Sequence, residues 1–220
     1  MTHARRVVAE GVGTALLLAA IVGSGIMGER LAGGNLAIAL LANSIATGAA
    51  LVALILAFGP ISGAHFNPLV TLWAADQRLL PWRDTPSYVA AQLVGAALGV
   101  VAAHAMFAEP VVSASMHVRS GLPQALSECV ATFGLIGVIA GSRAKPESVP
   151  FAVGAYIAAA YWFTASTSFA NPAVTVARAL TGTFSGIRLV DVPPFVVAQM
   201  VGALSAFLLF RWLSPAEARE

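Results

Sequence analysis

Charge is scarce in this chain. Only 10% of its 220 residues are charged and 58% are hydrophobic, with a mean hydropathy of +0.82, whereas soluble domains are roughly half apolar and a quarter charged. Such a composition cannot cover a water-facing surface, so a soluble globular domain is excluded. The net charge of +2 is too slight to imply nucleic acid as a partner. The single cysteine, Cys129, excludes an intramolecular disulfide and a cysteine-based metal framework. No nucleophile–base pair and no cluster of metal ligands can be drawn, which argues against an enzyme and against a bound metal or cofactor.

Long apolar runs are what the chain has in abundance. Six can be drawn, at about 6–27, 35–58, 86–107, 123–142, 150–166 and 193–213, separated by Gly, Pro or charge clusters such as Gly33-Gly34 and Lys145-Pro146-Glu147. Spans of about 20 residues each leave almost nothing for a soluble domain. The Arg5-Arg6 start precedes an apolar run that carries Glu10 and lacks a small-residue cleavage site, so it reads as the first span rather than a secretory signal. The fold class expected is therefore an all-α membrane protein, one domain over 1–220, with membrane lipid as its surroundings.

Two shorter helical stretches, 68–75 and 172–180, follow Asn67-Pro68-Leu69 and Asn171-Pro172-Ala173. They are too short to span, and each begins with Pro at the first helical position, where its missing N–H costs nothing. They read as half-helices. The chain also repeats itself: Glu10 with Thr14 returns as Glu128 with Thr132, the Asn-Pro steps recur, and Ala91-Gln92-Leu93-Val94-Gly95-Ala96 returns as Ala198-Gln199-Met200-Val201-Gly202-Ala203. Each repeat, about 6–107 and 123–213, holds an odd number of spans, so the second must enter the membrane from the opposite side. The half-helices then meet at the midplane, where irregular backbone survives only if it is buried or lines a wet cavity.

Basic residues give an orientation. With the N-terminus inside, Arg5, Arg6, Arg78, Arg83, Arg143, Lys145, Arg211 and Arg219 lie on the inner side, against Arg30, Arg119, Arg178 and Arg188 outside. That asymmetry predicts a multi-pass inner (plasma) membrane protein with both termini cytoplasmic.

The paired Asn-Pro-Ala-like motifs, the SGAHFNP string, the Glu near the start of spans one and four and the inverted repeat together resemble the aquaporin, or major intrinsic protein, family over essentially the whole chain. The resemblance implies a right-handed bundle of six transmembrane helices with two re-entrant half-helices. It also implies a homotetramer with one pore per subunit and passive transport without a cofactor. Asn67 and Asn171 would be the central amides, each at the positive end of a half-helix dipole, interrupting any proton-conducting water file. Glu10 and Glu128 would accept hydrogen bonds from the pore loops. His65 would line the cytoplasmic side of the pore, and Leu69, in place of the usual Ala, would pack against the opposite half-helix.

The departures from the family pattern bear on selectivity. Most members carry a pore-facing Arg three positions after the second Asn; here that position is Val174. Spacing from the motifs assigns the remaining filter positions to Thr47, Ala159 and Ser168, a ring without charge or bulk that predicts a wide filter. Arg178, one helical turn beyond Val174, is the candidate for a displaced charge at the outer mouth, the alternative being a surface anchor. The short chain and the missing filter Arg look most like bacterial aquaglyceroporin-like relatives associated with arsenic resistance. The function expected is a channel for small uncharged solutes: water, glycerol-like polyols and metalloid hydroxides such as arsenous acid. An ordinary water channel and a coupled secondary transporter, which is also built from inverted repeats with broken helices, are the alternatives.

Overall fold

The computed structural model describes residues 1–213, so Arg219, placed on the inner side above, lies outside the described residues. The elements in chain order are α1 His3–Leu31, α2 Leu36–Ser62, α3 Pro68–Asp76, α4 Thr85–Phe107, α5 Leu122–Gly141, α6 Val149–Phe163, α7 Pro172–Ala177 and α8 Val192–Leu213, with no strand among the described residues. Short 3-10 turns lead into α4, α6 and α8, and Arg178–Leu180 continues α7. By length and hydropathy α1, α2, α4, α5 and α8 can each cross a membrane. The sixth expected span, α6, has 15 residues, about 22 Å at 1.5 Å per residue. The 3-10 turn Pro146–Ser148 before it adds about 6 Å, which brings it close to the thickness of the hydrocarbon core.

Two boundaries differ from the sequence reading, and both have a reason in the pore loops. Helix α2 runs on through Gly59-Pro60 to Ser62 rather than stopping near 58, and this extension delivers the Ser62 hydroxyl to Glu10. Helix α6 stops at Phe163 rather than 166. The Thr164 hydroxyl donates to the Ala160 carbonyl at 2.6 Å, and the extended backbone at Thr164 releases the chain so that Ser166 can reach Glu128.

The two halves pack alike. Helix α1 lies against α4 and α2, α5 lies against α8 and α6, and α2 meets α6 between the halves. Without a hydrophobic drive between helices in lipid, close approach depends on small residues. A Cβ added to Gly95 would sit 2.2 Å from the Gly11 carbonyl oxygen, and one on its repeat equivalent Gly202 would sit 2.2 Å from the Cys129 carbonyl oxygen. Cys129 is thus a packing residue at a helix crossing. Because the obstruction is backbone, α1 and α4 must separate to admit even a methyl group. Gly95→Ala is expected to destabilise the folded protein by about 1–3 kcal/mol, seen as a lower melting temperature in detergent. An unchanged melt would show that this crossing can yield.

Candidate functional site: a central pore

The site is built from two loops that would be unstable alone. Before Asn67, Ala64 and Phe66 have φ of 50° and 49°; before Asn171, Ser168 and Ala170 have φ of 50° and 48°. Left-handed backbone at non-glycine residues costs about 1–2 kcal/mol apiece, so something must hold it. In the first loop Glu10 Oε1 accepts from Ser62 Oγ at 2.7 Å and His65 N at 2.9 Å, while Oε2 accepts from Phe66 N and Gln92 Nε2, both at 2.8 Å. In the second, Glu128 Oε1 accepts from Ser166 Oγ at 2.6 Å and Phe169 N at 2.9 Å, while Oε2 accepts from Ala170 N at 2.9 Å and Gln199 Nε2 at 2.6 Å. Both carboxylates are fully buried, and four donors apiece replace the water each has lost.

Each glutamine ties the loop to its half-helix. Gln92 Nε2 also donates to Thr71 Oγ1 at 2.9 Å and Gln199 Nε2 to Thr175 Oγ1 at 2.8 Å, and those hydroxyls donate to the carbonyls of Asn67 and Asn171. The two glutamines, Ser62, Thr71 and Thr175 were not singled out from sequence. The signal was present in the third repeat echo, whose one polar side chain is the glutamine.

The asparagines lock the halves together at the point where α3 and α7 begin. Asn67 Oδ1 caps Leu69 N at 3.0 Å and Asn171 Oδ1 caps Ala173 N at 2.9 Å. Across the junction Asn67 Nδ2 donates to the Ala170 carbonyl and Asn171 Nδ2 to the Phe66 carbonyl, each at 2.8 Å. An amide nitrogen carries two N–H groups, so one on each asparagine remains for the cavity that both residues line. Pro68 and Pro172 open the helices at their first positions. Leu69 and Ala173 are buried away from the cavity, Leu69 in the hydrophobic core.

That cavity has a volume of about 880 Å³ and extends from Arg6, His65 and Arg143 on the face of the N-terminus, past both asparagines, to Ser168, Val174 and Arg178. One wall is apolar and repeats with the halves: Leu17 and Ile21 of α1 answer Leu135 and Ile139 of α5, and Leu51 of α2 answers Ile157 of α6. The other wall is the two loops, whose N–H groups turn to the glutamates and whose carbonyls therefore face away from them. A hydroxyl-bearing solute can shed water on one side only, exchanging it for carbonyls and the two amides. His65, with Nδ1 3.2 Å from Thr71 Oγ1, lines this path.

At the far end the sequence assignment needs one correction. Thr47, Ser168 and Val174 line the cavity, but Ala159 is exposed on the outer face of α6 and does not. The cavity face of α2 is Thr47, Leu51, Ile55 and that of α6 is Val153, Ile157, Tyr161, each advancing by four residues as a helix face must. Spacing counted back from Asn171 ignores the early end of α6 and lands on the wrong face. Tyr161 is the residue that meets Thr47, hydroxyl to hydroxyl at 3.2 Å, so the ring holds more bulk and polarity than Thr, Ala, Ser and Val would. The Ser168 hydroxyl is buried without a hydrogen-bond partner among the described residues.

Arg178 is not a surface anchor. It is 2% exposed, lines the cavity, and donates from Nε to the Ser185 carbonyl. Its guanidinium carbon lies 3.4 Å from the Phe169 ring centroid, and that of Arg119, from the loop between α4 and α5, lies 4.9 Å from the same centroid. Arg119 donates to the carbonyls of Gly186 and Ser166 at 2.8 and 3.0 Å. Burial pushes its guanidinium below the usual range, with the Glu128 carboxylate acting against that. Neither arginine forms a side-chain ion pair among the described residues. His104 is a buried tie in the same region: Nδ1 faces the Pro110 carbonyl at 2.6 Å and Nε2 the Thr181 hydroxyl at 2.8 Å.

Two short helices set head to head in a bundle of apolar ones, around a continuous path, is a channel architecture, and the sequence agrees over its full length. The family model described as "Major intrinsic protein" matches residues 1–151 and 142–220. The chain belongs to that family. This major intrinsic protein is accordingly a multi-pass membrane channel and not an enzyme. It is 57% identical over 210 residues to the aquaglyceroporin AqpS of Rhizobium meliloti (strain 1021), covering 95% of this chain and 90% of that one. It is 36% identical over 171 residues to aquaporin NIP1-1 of Zea mays, covering 74% of this chain and 59% of the plant protein. In fold it is similar to the X-ray structure of the aquaglyceroporin from Plasmodium falciparum, with a TM-score of 0.75, 19% identity, and coverage of 96% and 95% of the two chains.

Proposed function

We propose that the chain is a passive pore for small uncharged solutes: water, glycerol-like polyols and metalloid hydroxides such as arsenous acid. The observation that carries this reading is the two-walled cavity, apolar on one side and lined by loop carbonyls and the Asn67 and Asn171 amides on the other, with Val174 where a filter arginine would narrow it. The relative named an aquaglyceroporin at 57% identity supports the polyol class. The filter is read as Thr47, Tyr161, Ser168 and Val174, wide enough for solutes larger than water. Arg178 stands one turn outward as its displaced charge. The protein works as a homotetramer in the inner membrane with its N-terminus cytoplasmic, the side favoured by its basic residues.

Coupled transport fits the site less well. A transporter needs a carboxylate free to take up the coupling ion, and both buried glutamates already accept from four donors. Stopped-flow light scattering on proteoliposomes with gradients of sucrose, glycerol and arsenous acid tests the proposal. Glycerol and arsenous acid are expected to equilibrate at least about tenfold faster than in empty vesicles, without saturation and without a pH gradient. Water flux alone would leave the ordinary water channel as the correct reading.

A further inference from the structure

We propose that Arg119, carried in by the loop between α4 and α5, is a second specificity-determining charge of this pore, supplying together with Arg178 the cation barrier that the chain lacks at Val174. Arg119 entered the sequence reading only as one of four basic residues on the outer side. The structure places its guanidinium beside the same Phe169 ring that Arg178 covers, so the two charged carbons are no further apart than the sum of 3.4 and 4.9 Å. Phe169 and Arg178 both line the cavity. Two guanidiniums this close, Arg178 buried and Arg119 half-buried, repel each other, and no carboxylate pairs with either among the described residues. Among the described residues their hydrogen bonds go to backbone carbonyls and one hydroxyl, Gly186, Ser166 and Thr167 for Arg119 and Ser185 for Arg178, beside the shared Phe169 ring. The nearby Glu128 carboxylate, which pairs with neither, offsets part of their combined positive field; the remainder falls on the outer end of the path.

The loop that brings Arg119 is tied down for this. Ser113 N donates to the Leu180 carbonyl at 3.0 Å, Gly182 N to Ser113 Oγ at 2.8 Å, and Arg188 N to the His117 carbonyl at 3.1 Å. Arg119 N itself donates to Asp191 Oδ2 at 2.8 Å, while Arg188 neutralises that carboxylate. Asp191 thus fixes the arginine's backbone without cancelling its charge. A plain structural clamp could use any donor at position 119; a barrier needs the charge.

The inference rests on the chain being a neutral-solute channel, and the test separates the two. Unmodified protein, Arg119→Gln and Arg119→Lys are reconstituted in liposomes, and the ratio of potassium to glycerol permeability is measured for each. Arg119→Gln is expected to raise that ratio about tenfold, and Arg119→Lys, which keeps the charge but loses the planar fork, to restore most of the barrier. If the ratio does not change in Arg119→Gln, or if Arg119→Lys leaks as much as Arg119→Gln, Arg119 is a loop clamp and the proposal fails. Should Arg119→Gln not accumulate in the membrane, the unmodified protein decides: its residual ionic current in a salt gradient must reverse on the anion side, and cation preference overturns the proposal. Absence of glycerol flux in the unmodified protein would instead count against the channel reading itself.

Discussion

Glu10→Gln is expected to lower the apparent melting temperature by about 10 °C and to cut solute flux per protein at least about tenfold. Glutamine is nearly the same shape, so the loss isolates the charge. One carboxylate oxygen becomes an NH2 group and must face two of the donors that now point at it, Ser62 Oγ with His65 N or Phe66 N with Gln92 Nε2. A charge-assisted hydrogen bond contributes about 1.5–3 kcal/mol. Burying one fewer charge returns part of what is lost, leaving a net cost of roughly 3 kcal/mol, which corresponds to about 10 °C for a chain of this size. Flux falls because the loop holding the left-handed residues Ala64 and Phe66 loses the anchor on the His65 and Phe66 N–H groups, which turns the opposed Ala64 and His65 carbonyls away from Glu10. The Phe66 carbonyl also receives Asn171 Nδ2, so the disturbance reaches the other half. Glu128→Gln should do the same through Phe169, Ala170 and Asn67. A melt within about 2 °C of the parent and full flux would show that the loops hold themselves.

The bundle was legible because burial in lipid writes itself into long apolar runs, and the family match covers both repeats. Helix ends were less so. Nothing in Gly59-Pro60-Ile61-Ser62 announces that a helix continues through a proline; it does so because Glu10, on another helix, needs the Ser62 hydroxyl. The same tertiary demand shortened α6, and it is Tyr161 rather than Ala159 that lines the cavity. Helix phase is lost wherever a loop intervenes, so counting back from Asn171 could not say which side of α6 faces inward. Arg119 was hidden for a related reason: it is far from either Asn-Pro step in sequence, and only the folding of the α4–α5 loop over the second pore loop brings it to Phe169.

Val174→Arg is expected to reduce glycerol flux at least about tenfold while water flux falls by no more than about threefold. Val174 lines the cavity together with Thr47, Tyr161 and Ser168, and in the proposed filter a guanidinium at 174 would cross the ring these residues make. Water is small enough to pass one at a time beside it and can use its N–H groups as donors. Glycerol needs the space the side chain takes. A second effect follows from helix geometry: position 174 lies one turn from Arg178 on the same face, about 6 Å along the axis, and two unit charges at about 6 Å repel by roughly 3 kcal/mol at an effective dielectric of about 20. The variant should therefore melt lower than the parent, and Arg178→Gln in the same chain should recover stability while leaving glycerol excluded. Equal fractional loss of water and glycerol flux would mean that the variant damages assembly rather than the filter. Recovery of glycerol flux in the double variant would mean that charge, not width, governs passage at this level.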